Sequence, residues 1–157
     1  MFIHTLWGQI GFWLTQAIIG LIASCSLFGQ LAEEAHADNR ADDTYRYEGI
    51  GCKLIGTIIL GGIMAASAAP GFFWGGNWVY ATLAPAVLAI IFQLAADQNR
   101  AAPLVVLELG AVIDGIALTG ATIIPFALPV TAIVILVVTV VVIIATIVLG
   151  AFAEEEE

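Results

Sequence analysis

Three ionisable residues lie inside long apolar stretches of this sequence and are the first candidates for chemistry. Lys53, Glu108 and Asp114 each interrupt a run of hydrophobic residues. A charge buried in hydrocarbon costs at least about 2 to 3 kcal/mol, so such residues mark ion or proton sites, or ion pairs between helices. These three residues therefore define the candidate polar interior.

The spacing of the three residues predicts two separate polar contacts. Lys53 and Glu108 lie at similar depths near the same end of their helices, and we expect them to form an ion pair. Asp114 lies deeper and about 120° around the helix from Glu108, so it needs another partner. Gln16 is the first candidate and Thr57 the second. We expect Asp114 to be protonated or hydrogen-bonded. Three roles are open to it: a polar contact that holds two helices together, a proton or cation site, or a contact to a cofactor or to the helix of a partner subunit.

The elements that position these residues are predicted to be membrane-spanning helices. Hydrophobic residues make up 61% of the 157 residues and the mean hydropathy is +1.04, which excludes an ordinary soluble domain. About 20 apolar residues suffice to cross a bilayer. We therefore predict an all-α integral membrane helical bundle, a single transmembrane domain over 1–157. Its five spans cover about 9–31, 49–69, 78–96, 103–124 and 129–153.

Breaks between the predicted spans are marked by charge, glycine and proline. The main hydrophilic loop is 33–48, and a second short turn ends at Arg100. A turn from Pro70 to Asn77 separates the second and third spans. An unbroken helix from Pro103 to Ala153 would extend about 75 Å, so a turn is required at Pro125 to Pro129. Pro85 lies inside the third span and is predicted to kink it.

Five spans also predict an orientation. They place every Lys and Arg on one side, and the positive-inside bias makes that side cytoplasmic, with the N-terminus outside and the C-terminus inside. The opposite side has almost no charge and is rich in tryptophan. It is interpreted either as an aromatic belt in the headgroup layer or as a surface for a partner chain. The tryptophans are Trp7, Trp13, Trp74 and Trp78.

Small residues in the second span predict close helix packing, because they let two backbones approach each other. They recur at four-residue spacing in two adjacent rows. The residues are Gly61, Gly62, Ala65, Ala66 and Ala69. The last span, in contrast, has only threonines as polar residues and is predicted to lie at the lipid-facing periphery.

Charge and motifs exclude several functions. Thirteen acidic residues against four basic ones argue against nucleic acid as a partner, and resemble the composition of proteins from salt-adapted organisms. Glu33, Glu34, His36 and Asp38 were considered as a divalent-cation site, but their spacing favours solvated charge. No catalytic motif is present, and no metal or cofactor is expected.

Together these features predict a non-enzymatic multi-pass membrane protein. The expected role is that of a structural or accessory subunit of a larger assembly, either a membrane complex or a virion membrane. The expected partners are the lipid bilayer and other membrane subunits, or further copies of the chain. The alternative is an oligomeric proton or cation transporter or channel that uses Asp114 and Glu108.

Overall fold

The computed structural model describes residues 5–96, 99–122 and 128–155, and these residues are helical apart from short connections. They form six α-helices and one 3₁₀ helix, which precedes α4 and covers Gly76–Leu83. The α-helices are α1 (Leu6–Ala37), α2 (Ala41–Glu48), α3 (Ile50–Trp74), α4 (Ala84–Ala95), α5 (Ala101–Thr122) and α6 (Leu128–Glu155).

Five helical segments among the described residues are long and apolar enough to cross a membrane, which confirms the predicted number of apolar segments. They are Leu6–Ala37, Ile50–Trp74, Gly76–Ala95, Ala101–Thr119 and Val130–Ala153. The chain is accordingly a multi-pass helical membrane protein. At 32 residues, α1 extends about 48 Å, well beyond a hydrocarbon core of about 30 Å.

The hydrophilic segment predicted as a loop at 33–48 is largely helical. The first helix continues to Ala37, and α2 covers Ala41–Glu48. Asp42 and Asp43 lie in the first turn of α2, where negative charge interacts favourably with the helix dipole. The chain turns between the two helices, where Asn39 adopts a φ of 58°.

The three predicted proline breaks have different outcomes. Helix α3 continues through Pro70 to Trp74 and ends at Gly75, whose φ of 63° favours glycine. Pro85 lies in the first turn of α4, where a missing backbone N–H is tolerated. The turn predicted at Pro125 to Pro129 falls mostly outside the described residues, and Pro129 already belongs to α6.

Helix α5 is the centre of the bundle. It packs against α1, α3, α4, α6 and the 3₁₀ helix, and half of the residues in its apolar segment are buried. The most extensive helix pairing joins α1 and α3. One core cluster includes Phe12, Leu118 and Ile135, and another includes Ile19 and Met64. The side chains of α5 therefore project into interfaces rather than toward lipid on most sides.

Candidate functional site

Asp114 is buried on α5 and is held by a side chain from α1. Its exposed fraction is 1%, and Gln16 Nε2 donates a hydrogen bond of 2.5 Å to Asp114 Oδ1. The same Nε2 atom lies 3.2 Å from the carbonyl oxygen of Phe12. Asp114 Oδ2 and Gln16 Oε1 have no hydrogen-bond partner among the described residues. The expected pairing of Gln16 with Asp114 is thus present and ties α1 to α5.

Glu108 is also buried on α5, but it faces α6. It is 0% exposed, and Thr146 Oγ1 donates a hydrogen bond of 2.5 Å to Glu108 Oε1. The same hydroxyl lies 3.0 Å from the carbonyl oxygen of Val142, one turn earlier in α6. Glu108 Oε2 has no partner in the described part of the chain. The two carboxyls of α5 therefore serve two different helix interfaces.

The predicted ion pair between Lys53 and Glu108 is wrong. Lys53 lies in the first turn of α3 and lines a cavity beside α1 and α2, whereas Glu108 accepts from Thr146. Thr57, the second candidate partner of Asp114, donates to the backbone carbonyl of Lys53 at 2.7 Å. The two side chains point toward different neighbours.

The threonines of α6 form a buried stripe. Thr131, Thr139 and Thr146 are all buried and lie on the face that packs against α4 and α5. The opposite face exposes large aliphatic side chains such as Val141 and Ile144. The spacing of these threonines places them on one helix face, so this face could have been predicted from the sequence as the buried side of the last span.

Arg100 joins the start of α5 to α1. Its guanidinium forms two hydrogen bonds with the carboxylate of Glu34, with Nη2 at 2.8 Å from Oε2 and Nη1 on Oε1. The side chains are only 13% and 32% exposed. The Arg100 backbone N–H also donates to Gln93 Oε1 at 3.3 Å. This contact was not predicted, because its residues are 66 positions apart in sequence.

The predicted small-residue surface of α3 is only partly an interface. Gly61 is buried against Gln16 and Ala17 of α1, while Gly62 and Ala66 are exposed. Ala65 and Ala69, the other members of the two rows, are half-buried. Gly20 of α1, which the sequence analysis did not select, packs tightly against Gly61, because a Cβ on Gly20 would lie 2.5 Å from the Gly61 backbone nitrogen.

The four tryptophans have two different environments. Trp7, Trp74 and Trp78 are 74%, 68% and 56% exposed, and the rings of the last two lie 5.1 Å apart between centroids. Trp13 is half-buried and contacts Phe12 at a centroid distance of 5.2 Å. Trp13 therefore belongs to an aromatic cluster inside the protein, whereas Trp7, Trp74 and Trp78 form an exposed aromatic surface.

The acidic residues considered as a cation site are separated by their contacts. Glu34 binds Arg100, and Asp38 binds Arg40 at 2.6 Å. Within residues 5–96, 99–122 and 128–155, no group of three or more His, Cys, Asp or Glu side chains is arranged to hold a metal ion. The buried carboxyls of α5 are thus the strongest candidate site.

Comparison of the chain with protein-family models, curated proteins and solved structures finds no match. Each carboxyl receives one hydrogen bond from a neutral side chain and has a second oxygen without a described partner. Such an arrangement can hold helices together or bind a proton or small cation.

Proposed function

We propose that this chain is a non-enzymatic multi-pass membrane protein that acts as a structural or accessory subunit of a larger membrane assembly. The observation that supports this most directly is the partnering of the two buried carboxyls. Gln16 and Thr146 are neutral donors on neighbouring helices, and each bonds directly to one oxygen of a buried carboxyl. The two carboxyls therefore suit a structural role, in which their hydrogen bonds hold α5 between α1 and α6.

The energetics suit such a role. An interhelical hydrogen bond within a membrane contributes about 0.6 to 2 kcal/mol. Because hydrocarbon offers no competing water, a polar side chain on α5 also disfavours rotations that would turn it toward lipid. Two ties on different faces of α5 therefore specify its rotation relative to α1 and α6.

The surface supplies the second line of support. The outer faces of α3 and α6 expose large aliphatic residues, which suit either lipid or partner helices. Trp7, Trp74 and Trp78 form an exposed aromatic surface at the end where α1 begins and α3 ends. We assign this end to the outside, with the C-terminus inside. We also place a bend of the third span at the junction between the 3₁₀ helix and α4, close to Pro85.

Purification from the native membrane tests the assignment as a subunit. After extraction in a mild detergent, the chain should migrate as part of a larger complex that contains at least one other polypeptide at fixed stoichiometry. Recovery of the chain alone, as a monomer or a homo-oligomer, would refute the role as a subunit of a mixed assembly.

Cysteine labelling tests the orientation. In a background in which Cys25 and Cys52 are replaced, Asp42→Cys in α2 should react with a membrane-impermeant maleimide only from the inside. Asn77→Cys, which is exposed in the 3₁₀ helix, should react only from the outside. Labelling of both cysteines from one side would contradict the five-span topology.

A proton or cation transporter formed by several copies is the second candidate. It is favoured by the unpartnered oxygens Glu108 Oε2 and Asp114 Oδ2, either of which could accept a proton or bind a cation. Five helices leave little room for a pathway within one protomer, so symmetry-related copies would have to complete it.

The two functions predict different effects of Asp114 variants. Asp114→Asn keeps an oxygen acceptor for Gln16, so a structural role predicts that this variant is as stable as the wild type. A role in transport predicts that the same variant loses proton or cation flux in proteoliposomes. Asp114→Leu removes the acceptor and should destabilise the bundle by about 1 to 2 kcal/mol. Ile113→Val, on the exposed side of α5, is the control and should change neither quantity.

A further inference from the structure

A cavity of about 520 Å³ lies where the end of α1, the end of α2 and the start of α3 meet. Its volume is within the range of about 300 to 1,000 Å³ that is typical of small-molecule sites. One wall is apolar and the rest carries charge. The lining residues are Phe28, Gly29, Ala32, Glu33, His36, Ala37, Glu48 and Lys53.

Three charged side chains around this cavity form no ion pairs with the described residues. Lys53, the only lysine of the chain, forms no ion pair with any described residue, and the same is true of Glu33 and Glu48. Neighbouring charges do pair, since Arg40 binds Asp38 and Arg100 binds Glu34. Opposite charges therefore surround one cavity without neutralising each other.

An aromatic contact beside the cavity favours a position at the level of the lipid headgroups. Phe28 stacks on Tyr47 of α2 with a centroid distance of 6.3 Å, and tyrosine is enriched at the membrane interface. Lys53 lies at the start of the second spanning helix, and its backbone carbonyl accepts a hydrogen bond of 2.7 Å from Ser24 on α1. This bond anchors the first turn of α3 to α1. The cavity thus has an apolar wall toward the hydrocarbon and charges toward the solvent.

We propose that this cavity binds a phosphate diester that carries an ammonium group, as in the headgroup of phosphatidylethanolamine. The phosphate contacts the Lys53 ammonium, and the ammonium of the ligand contacts Glu33 and Glu48. An anionic headgroup without an ammonium meets two carboxylates and one cation, so it binds more weakly. The apolar wall formed by Phe28, Gly29 and Ala32 accommodates the glycerol and the first part of the acyl chains.

Lipid binding to the purified full-length chain tests this assignment. Native mass spectrometry in detergent compares phosphatidylethanolamine, phosphatidylglycerol and diacylglycerol with identical acyl chains. Phosphatidylethanolamine should bind about tenfold more tightly than either of the others, which corresponds to one charge-assisted hydrogen bond. Equal binding of phosphatidylethanolamine and diacylglycerol would overturn the proposal.

Variants locate the site. Lys53→Gln should reduce phosphatidylethanolamine binding about tenfold, and Lys53→Arg should retain it. The double variant Glu33→Gln, Glu48→Gln should lose the preference for phosphatidylethanolamine over phosphatidylglycerol. Arg46→Gln removes the same charge from the exposed surface of α2 and should leave binding unchanged. Unchanged binding by Lys53→Gln, or equal losses in the Lys53→Gln and Arg46→Gln proteins, would overturn the proposal. An unchanged thermal midpoint for Lys53→Gln excludes misfolding as the cause.

Free glycerophosphoethanolamine, a phosphate diester that carries an ammonium group but no acyl chains, distinguishes a lipid from a soluble ligand with the same chemistry. If the lipid is the ligand, millimolar glycerophosphoethanolamine should not displace phosphatidylethanolamine, because it lacks the acyl contacts to the apolar wall. Displacement that depends on Lys53 would support the same phosphate and ammonium contacts with a soluble compound as the ligand. Displacement that is equal in wild type and Lys53→Gln would contradict the site.

Discussion

Replacement of Gly20 by alanine should separate the two most extensively packed helices. A Cβ atom on Gly20 would lie 2.5 Å from the backbone nitrogen of Gly61, 2.6 Å from its Cα and 2.8 Å from the carbonyl oxygen of Thr57. All three are backbone atoms of α3, so no side chain can move away. The facing glycine differs, because a Cβ on Gly61 would lie 3.4 Å from the carbonyl oxygen of Gln16, an ordinary contact.

The size of the effect follows from this geometry. Relief of the clash requires α1 and α3 to move apart by about 1 Å, and overpacking of this kind costs about 1 to 3 kcal/mol. The gain in helix propensity from glycine to alanine offsets at most about 1 kcal/mol. Because all three contacts are with backbone atoms, the upper part of the overpacking range applies, and Gly20→Ala should lower the free energy of unfolding by about 1 to 2 kcal/mol after the offset. Gly61→Ala should be close to neutral.

Reversible unfolding of the purified protein in mixed micelles of detergent and SDS measures these differences. Gly11→Ala on α1 and Gly62→Ala on α3 are matched controls, because a Cβ at either position has no neighbour within 4 Å. Both controls should be as stable as the wild type or slightly more stable. The packing of α1 against α3 is incorrect if Gly20→Ala has the same free energy of unfolding as the controls. It is also incorrect if Gly61→Ala lowers that free energy more than Gly20→Ala does.

Three further substitutions have matched predictions. Thr146→Val removes the donor to buried Glu108 and should cost about 1 to 2 kcal/mol in SDS unfolding. Thr139→Val should be nearly neutral, because that equally buried hydroxyl donates to the Ile135 carbonyl of its own helix. Equal effects of the two substitutions would argue against the contact with Glu108. Arg100→Gln breaks the partly buried ion pair with Glu34 and should lower the thermal midpoint. Arg40→Gln should leave the midpoint unchanged, because the ion pairs of Arg40 with Asp38 and Asp43 are exposed to solvent. A larger shift for Arg40→Gln than for Arg100→Gln would contradict this ranking. Gly110→Ala should cost less than Gly20→Ala in the same unfolding assay, because the atoms nearest to its Cβ, Ile19 Cγ2 and Met64 Cε at 2.8 Å, belong to side chains and not to backbone. A larger cost would show that these side chains cannot shift.

Much of the polar interior could be anticipated from position along the chain. Gln16 was matched to Asp114 because both lie near the middle of their spans, and the structure joins them. The same reasoning failed for Lys53 and Glu108, which were expected to lie at similar depths but which face different helices. Depth follows from counting residues at a fixed rise per residue, whereas the direction of a side chain depends on which neighbours the helix acquires.

The local breaks of the helices were harder to predict. Proline was expected to end the second span at Pro70, but α3 continues to Trp74. Pro85 lies in the first turn of α4, and the kink expected there stays a prediction. A proline removes one hydrogen bond, and a membrane helix tolerates this loss when neighbouring residues pack around it. The turn occurs where Gly75 and Gly76 adopt positive φ angles.

The amino-acid sequence by itself determined that this chain has hydrocarbon as its main solvent and five apolar helical segments, because hydropathy and segment length are properties of composition and order. Tertiary structure alone decided that Glu108 faces Thr146, that Arg100 binds Glu34 and that Gly20 meets Gly61. These contacts join residues on different helices. They depend on the rotation of each helix about its own axis, which the packing of all the helices sets jointly.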